Sequence, residues 1–355
     1  MALYLLLPVA LIFAFDLYKE SWLKFLVVAL PPLHILVAHG IDNLAQIANP
    51  KSQIPSPNSP FAARHLPFAI CHLLFVTCLL AVLCATAVYP SLHNLYFNPA
   101  YARDDYRQIA ADVAAIAHPG DAIVLNAPNQ WEVFTYYYPD RDVYPAPYRP
   151  RPGEVEPFLA PLTERYRRLL VLYWGDAESD PQRLLETWLA SHTYQAADRW
   201  YGRVRLATYG VARLPEEPAV ALDACYGENI YLRGYALSGD QFLAGDILPV
   251  TLFWETLVPI PERYKVTVQL LDGTGKLVAQ RDTEPANGLT PTTLWQPGQL
   301  LADRYGLALP LDLPPGHYTL ITGLYHLTTG ERLPVVLNGE PPGDHLVLSS
   351  VGVAQ

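Results

Sequence analysis

Residues Asp121–Ala127 read DAIVLNA, a short apolar run that follows the turn-forming pair Pro119-Gly120. A run of this length between turn signals is typical of a strand buried on both faces. A second run of the same kind, Arg168–Trp174 (RLLVLYW), follows further along the chain. The two runs predict buried strands of a sheet that is covered by helices.

The segments around these strands alternate between helical and extended patterns. In the stretch 101–118, apolar residues recur at helical spacing, and further helices are predicted over Gln130–Tyr138, Glu154–Tyr166 and Pro181–His192. Short strands are predicted over Asp142–Pro145, Tyr194–Trp200 and Val204–Val211. This alternation predicts a layered α/β domain over residues 100–214.

After residue 214 the helical periodicity ends and short β-type runs are separated by Gly, Pro and Asp turns. Strands at this spacing predict an all-β antiparallel sandwich over residues 219–355, either immunoglobulin-like or jelly-roll. The turn Asp272–Gly275 predicts a hairpin. The predicted strands lie near Ile230–Leu237, Leu248–Glu255, Lys265–Leu271, Leu277–Asp282, Tyr305–Leu309, His317–Tyr325, Arg332–Leu337 and His345–Val353.

Residues 1–90 carry three apolar runs, which predict transmembrane helices over about 2–18, 22–40 and 66–88. Leu66–Val88 contains 23 residues without a charge, enough to cross a hydrocarbon core of about 30 Å. The first run is shorter than a usual span and begins at Met1 already inside apolar sequence. We therefore expect a helix whose beginning is missing from this chain.

Charge suggests an orientation for these helices and limits the partners. The loop 39–65 carries Lys51 and Arg64 against Asp42, and the positive-inside rule therefore places it in the cytoplasm. Everything after residue 88 is then extracytoplasmic, on a multi-pass protein of the plasma membrane. Residues 1–100 have a net charge of +1 and the remainder −11. An acidic surface repels phosphate backbones, so nucleic acid is not an expected partner.

Aromatic residues supply the candidate contact sites. Trp131, Tyr136 and Tyr137 could meet either a sugar or the bilayer interface, with packing under the α/β sheet as the alternative. Trp254 and Trp295 could form a sugar platform on the sandwich, with core packing again as the alternative. The pair Asp104-Asp105 could act as a base or bind a metal, but its position also suits the cap of a helix.

No motif in the sequence specifies a reaction. The histidines have no metal-ligand spacing, Cys225 stands alone after residue 84, and no phosphate-binding loop or nucleophile elbow is present. The residues therefore predict no metal and no cofactor, and they name no catalytic group.

Several stretches nevertheless resemble family 39-type glycosyltransferases of the GT-C superfamily. Lys24–Leu44 (KFLVVALPPLHILVAHGIDNL) is similar to a late transmembrane helix of that family, and the segment from Tyr106 to Tyr138 is similar to the region after the last helix of bacterial members. The tail resembles the β-sandwich that some of these proteins carry. The matching tail stretches are VTLFWE (250–255), VQLLD (268–272), PTTLWQPG (291–298), PPGHY (314–318) and GERLP (330–334).

The resemblance implies an enzyme that moves a sugar from a polyprenyl-phosphate donor to a glycan or other acceptor outside the cytoplasm. The catalytic acid of that family lies in the first external loop, after the first of about a dozen helices. This chain has at most three predicted helices, so no catalytic residue can be carried over. It is therefore expected to be the C-terminal part of such an enzyme, inactive alone and completed by a helix-rich partner chain. The alternative is a membrane-anchored scaffold that binds glycan or protein.

Overall fold

The computed structural model describes residues 86, 89–90, 92–94, 96–98, 104–139, 142–339 and 342–354. The chain divides between residues 98 and 99 into two compact units. In the first unit, all described residues from 86 to 97 are helical. The predicted membrane spans 2–18, 22–40 and 66–88 lie outside the described residues, apart from position 86. Among the helices that are described, none combines the length and the apolar character needed to cross a membrane.

The second unit begins with alternating helices and strands. The helices are α1 (Tyr106–Ile116), α2 (Trp131–Tyr137), α3 (Val155–Arg165), α4 (Asp176–Ser179) and α5 (Leu184–His192). The strands are β1 (Asp121–Leu125), β2 (Val143–Pro145), β3 (Arg168–Tyr173), β4 (Tyr194–Tyr201) and β5 (Val204–Gly210). A short 3-10 turn, Pro128–Gln130, leads directly into α2.

These five strands form one mixed sheet in the order β2-β1-β3-β5-β4. Strands β2, β1 and β3 are parallel, whereas β5 and β4 are antiparallel to their neighbours. Alternate residues of β1 and β3 enter two separate cores, one under α1 and α2 and the other under α3 and α5. Because both faces are covered, the strands are apolar throughout, which explains the uninterrupted runs in the sequence.

The remaining strands form two further five-stranded sheets. They are β6 (Val220–Tyr226), β7 (Ile230–Leu237), β8 (Gln241–Leu243), β9 (Ile247–Thr256), β10 (Tyr264–Leu271), β11 (Leu277–Thr283), β12 (Leu301–Ala308), β13 (Gly316–His326), β14 (Val335–Leu337) and β15 (Leu346–Ala354). The sheet orders are β12-β9-β7-β6-β14 and β11-β10-β13-β15-β8. Every pair is antiparallel except β15 with β8.

Side chains from both sheets meet in one continuous core that includes Trp254, Leu252, Val268 and Leu320. The described part of the chain is therefore mostly β-structure, and the predicted β-sandwich is confirmed. The predicted hairpin is present at Asp272, whose carbonyl accepts a hydrogen bond from Gly275 N at 2.9 Å. Two strands, β6 and β8, were not predicted, and the predicted strand over Arg332–Leu337 is shorter, at Val335–Leu337.

The α/β sheet packs against the sandwich through β4 and β12. A Cβ atom at Gly306 would lie 2.8 Å from the carbonyl oxygen of Tyr194, so the two backbones approach closely. The hydroxyl of Tyr194 hydrogen-bonds Thr251 Oγ1 at 3.0 Å, and Arg281 pairs with Asp198 at 3.0 Å. These polar contacts fix the two layers together within the second unit.

Candidate functional site

The carboxyl ends of β1, β2 and β3 meet at one edge of the α/β sheet because the three strands are parallel. Ligands of open α/β sheets bind outside this edge, where the loops after the strands converge. Here the edge is built from the loops 126–130, 146–149 and 174–180. We refer to these three loops as the carboxyl edge.

Asn126 is the buried centre of the carboxyl edge. Its Nδ2 donates hydrogen bonds to Asp176 Oδ1 at 2.6 Å and to Ser179 Oγ at 3.2 Å. Its Oδ1 accepts from Gln130 Nε2 at 2.9 Å and from the backbone N–H of Trp174 at 2.8 Å. One amide therefore joins the loop after β1 to the loop after β3.

Asp176 is the half-buried carboxylate of this edge and the first residue of α4. Burial raises the pKa of Asp176 above its ordinary value, and the nearby carboxylate of Glu186 adds to that effect. The guanidinium of Arg205 and the hydrogen bond from Asn126 act in the opposite direction and lower it. A carboxyl group held in this way can accept a hydrogen bond from a ligand hydroxyl or take up a proton.

Charges behind the carboxyl edge are already balanced. Glu186 is buried and pairs with Arg205 at 2.6 Å and with Arg183 at 2.8 Å. The guanidinium carbon of Arg205 also lies 4.4 Å from the centre of the Tyr173 ring. This ion pair is therefore a structural support beneath Asp176.

The rim of the edge carries further polar side chains. The hydroxyl of Tyr106 donates to Gln130 Oε1 at 3.0 Å. The hydroxyl of Tyr148 donates to Glu178 Oε1 at 3.1 Å, and half of the Tyr148 side chain is exposed. An exposed aromatic ring next to carboxylates and amides is an arrangement that suits a polyhydroxylated ligand.

The acidic pair before α1 has a structural role. Asp105 caps α1, because its Oδ1 accepts a hydrogen bond from Gln108 N at 3.0 Å. Asp104 accepts from Trp174 Nε1 at 2.7 Å and so ties the chain before α1 to the carboxyl edge. In the part of the chain that the structure describes, no group of three or more histidine, cysteine, aspartate or glutamate side chains could hold a metal ion.

The aromatic candidates from the sequence fall into two different environments. Trp131, Tyr136 and Tyr137 lie on α2 with 37%, 79% and 38% of their surface exposed. Trp254 and Trp295 are 0% and 4% exposed, with ring centres 6.2 Å apart inside the sandwich core. Those two tryptophans are core residues, as the alternative interpretation held, and they present no platform to a sugar.

Sequence reasoning missed Asn126, Gln130 and Asp176. A usable signal existed, because Asn126 lies at the end of the first predicted buried strand and Asp176 closely follows the second. The rule that parallel strands present their carboxyl ends at one edge would have drawn attention to both residues. Their mutual contact was not predictable, because 50 residues separate them.

A second concave region lies at the opposite end of the sheet. A cleft of about 520 Å³ is lined by residues that include His118, Asp121, Arg168 and Asp246. One of its two arginines, Arg168, is already bonded to Asp121 at 2.5 Å and to His118 Nδ1 at 2.6 Å. Because this cation already has partners, the cleft is a weaker candidate than the carboxyl edge.

Comparison with known proteins gives no family for this chain. No family model and no curated protein matches it. Among solved structures, the C-terminal domain of wzt is 10% identical with a TM-score of 0.28, over 39% of this chain and 83% of that one. A Niemann-Pick type C2 protein from Japanese carpenter ant is 7% identical with a TM-score of 0.26, over 38% of this chain and 99% of that one. Likeness at these scores carries no argument about function.

Proposed function

We propose that this chain is the membrane-anchored, extracytoplasmic C-terminal part of a GT-C type glycosyltransferase that uses a polyprenyl-phosphate sugar. In this proposal the carboxyl edge of the α/β sheet contacts the sugar of the donor. The chain contributes binding and orientation. It is assigned no catalytic residue, and it is inactive without a helix-rich partner.

The arrangement of the carboxyl edge carries this proposal. Sugars are recognised through hydrogen bonds from planar polar side chains and through contact with aromatic rings. Asp176 offers a half-buried carboxylate that Asn126 holds in place, and Tyr148 offers an exposed ring within the same set of loops. The groups come from loops that hydrogen bonds lock together, so binding would need little reorganisation.

Aromatic residues beyond the predicted third span support the membrane anchor. Tyr89, Tyr96 and Phe97 are each more than half exposed on described helical positions directly after residue 88. The ring centre of His93 lies 5.8 Å from that of Tyr89 and 5.3 Å from that of Phe97, so the three rings form a row of tilted neighbours. Aromatic belts of this kind flank membrane helices at the interface.

The need for a partner follows from the chemistry of the donor. A polyprenyl phosphate requires a protein-lined polar site at membrane depth, and three predicted helices are too few to enclose one. A helix-rich partner chain would supply that cavity and the catalytic acid.

Ligand-observed NMR tests the sugar-binding part of the proposal. The full chain in lipid nanodiscs is mixed with a short-chain polyprenyl-phosphate sugar, and saturation transfer to the sugar protons is measured. Transfer is expected for the natural chain and loss of transfer for Asp176→Asn, whereas the exposed sandwich variant Asp312→Asn should behave as the natural chain. Equal transfer in all three proteins, or none in any, contradicts the proposal.

A second candidate function is a scaffold that binds a protein partner through the sandwich. Leu257, Val258 and Leu294 are exposed apolar residues at one end of the sandwich. Their segments are brought together by a hydrogen bond of 2.8 Å from Gly298 N to Thr256 O. If the sugar does not bind, this apolar end becomes the surface to test, by substituting Leu294→Asp and measuring association with a purified helix-rich partner.

A further inference from the structure

The connections at one end of the sandwich enclose a pocket of about 290 Å³. Its lining comes from the turn between β6 and β7, from the connection between β9 and β10, and from Leu333 just before β14. Gly227 in the first of these segments donates its N–H to the carbonyl oxygen of Pro334 at 2.8 Å, which joins the first segment to the third. We refer to this cavity as the sandwich-end pocket.

The inner walls of the sandwich-end pocket are apolar. Tyr226, Ile230 and Ile260 line it, are 0%, 2% and 8% exposed, and belong to the sandwich core. Pockets that bind whole small molecules measure about 300–1,000 Å³. The sandwich-end pocket lies at the lower limit of that range, so it suits one side chain of a larger partner.

Two carboxylates lie at the open side of the pocket. Glu228 and Glu262 both line it, and both are exposed. Among the described residues that line the pocket, none is a lysine or an arginine. Arg263 and Arg332 are chain neighbours of lining residues, but their guanidinium groups face the carboxylates of Glu284 and Asp344. The negative charge of the pocket is therefore not neutralised from within the described chain.

The carboxylate of Glu262 is held in position before any partner binds. His326 Nδ1 accepts hydrogen bonds from two backbone N–H groups, at 3.1 and 3.3 Å, so the proton of the neutral ring is on Nε2. Nε2 donates that proton to Glu262 Oε2 at 3.1 Å. The backbone on either side is fixed by Thr292 Oγ1, which donates to Glu262 O at 2.6 Å and accepts from Tyr264 N at 3.1 Å. A carboxylate that is already oriented loses little conformational entropy on binding.

Apolar walls below two carboxylates are complementary to a long side chain that ends in a cation. Lysine and arginine bury an aliphatic stem and keep a charged group at its end. Tyr264 also lines the pocket, and a tyrosine ring attracts a nearby cation. The surroundings favour the same class of ligand, because residues 219–355 carry 14 acidic against 7 basic side chains, a net charge of −7.

An exposed apolar surface adjoins the pocket. Leu257, Val258 and Leu294 are 52%, 40% and 61% exposed, and Val258 directly precedes Pro259 of the pocket lining. The hydroxyl of Thr256 lies 2.6 Å from the carbonyl oxygen of Val258 and 3.1 Å from that of Asn229, so this surface is tied to the β6–β7 turn. A basic side chain flanked by apolar residues matches both the pocket and the surface beside it.

We propose that the sandwich-end pocket receives a lysine or arginine side chain of a partner protein, and that apolar residues next to this side chain rest on Leu257, Val258 and Leu294. The inference gives a chemical class to the partner in the second candidate function. It does not depend on sugar binding at the carboxyl edge.

Two matched peptides test the proposal by isothermal titration calorimetry. The full chain in phosphatidylcholine nanodiscs is titrated with acetyl-Gly-Leu-Lys-Leu-Gly-amide and with the same peptide carrying norleucine in place of lysine, and titrations of empty nanodiscs are subtracted. Norleucine keeps the aliphatic stem and lacks the ammonium group. Two exposed ion pairs are expected to make the lysine peptide bind about threefold to tenfold more tightly. Raising the salt concentration should reduce this preference.

Variants of the pocket decide whether the preference arises there. The double variant Glu228→Gln/Glu262→Gln should bind the two peptides equally, whereas Asp312→Asn, an exposed acidic position elsewhere on the sandwich, should keep the preference of the natural chain. Equal binding of both peptides to the natural chain, no binding of either, or a preference that the double variant retains would overturn the proposal, whether a glycan or a neutral peptide fills the pocket instead. Asp176→Asn should bind both peptides as the natural chain does, so a failure of sugar binding at the carboxyl edge is distinguished from a failure here.

A second pair of variants tests the apolar surface beside the pocket. Leu294→Ser should weaken both peptides by the same factor and leave the preference for lysine intact, because it removes apolar contact and no charge. Leu311→Ser, at a similarly exposed sandwich position, should change neither affinity. Equal affinities in Leu294→Ser and Leu311→Ser would contradict the docking of the flanking residues.

Discussion

Asp303 on β12 makes the stability of the sandwich depend on pH. Its carboxyl group is buried and accepts a hydrogen bond from Ala286 N at 2.9 Å and another from the hydroxyl of Tyr305. Burial raises its pKa to about 6, although both hydrogen bonds and the charge of Arg304 act to lower it. The substitution Asp303→Asn removes the charge and keeps an oxygen for Ala286 N.

The sign and size of the effect follow from the two pKa values. The folded chain holds a proton at Asp303 up to about pH 6, whereas the unfolded chain releases it near the ordinary value of 3.8. Since the folded state binds more protons in this window, the free energy of unfolding falls as the pH rises from about 4 to about 6. At 1.36 kcal/mol for each pKa unit, the total fall attributable to this group is about 3 kcal/mol.

Thermal unfolding of the full chain in nanodiscs measures this effect. For a unit of this size, 1 kcal/mol corresponds to roughly 2–4 °C in Tm, so the natural chain should lose on the order of 10 °C relative to Asp303→Asn between pH 4 and pH 7. The variant should be the more stable protein above pH 6, and the control Asp312→Asn should follow the natural chain. Parallel pH profiles for the natural chain and Asp303→Asn would refute the reasoning.

Three further predictions concern the fold and the carboxyl edge. Asn126→Leu leaves several buried polar groups without partners and should lower the free energy of unfolding by about 2–5 kcal/mol, measured by urea titration. Gly306→Ala forces a Cβ against the backbone of β4 and should lower the free energy of unfolding by about 1–3 kcal/mol. Gly273→Ala, whose added Cβ would have no atom within 4 Å, should lower it by less than half of that. Equal effects of the two substitutions would contradict the packing. Hydrogen bonds lower the pKa of Asp272, so this residue stabilises the fold above its unfolded pKa and loses the effect as the pH falls through the lowered folded value. Between pH 5 and pH 3, the Tm of Asp272→Asn should therefore fall less than the Tm of the natural chain.

The clearest strand signals in the sequence come from strands that are buried along most of their length. β1 and β3 are covered by helices on both faces, and β9 is buried along almost its whole length, so all three appear as apolar runs. β6 was missed because it is exposed at one end and carries Asp223 in its centre. β8 has three residues, and its parallel pairing with β15 depends on contacts far away in sequence.

The same distinction between local and distant information applies to the candidate site. The exposed aromatics of α2 were recognised because the WEVFTYY segment is unusual in itself. Whether an aromatic side chain is exposed depends on how its helix or strand packs, which the local sequence does not show. Trp254 is fully buried in the sandwich core, whereas Trp131 is exposed on α2. The network around Asn126 was missed because its partner Asp176 lies 50 residues away and reaches it only once β1 and β3 pair in the sheet.

Photolabelling tests the central claim most directly. A polyprenyl-phosphate sugar with a diazirine on the sugar is bound to the full chain in nanodiscs and irradiated, and the labelled peptides are identified by mass spectrometry. The account predicts labels within the loops 126–130, 146–149 and 174–180, which excess unlabelled donor removes and Asp176→Asn abolishes. Labels confined to the sandwich, or no label that the unlabelled donor displaces, would contradict it.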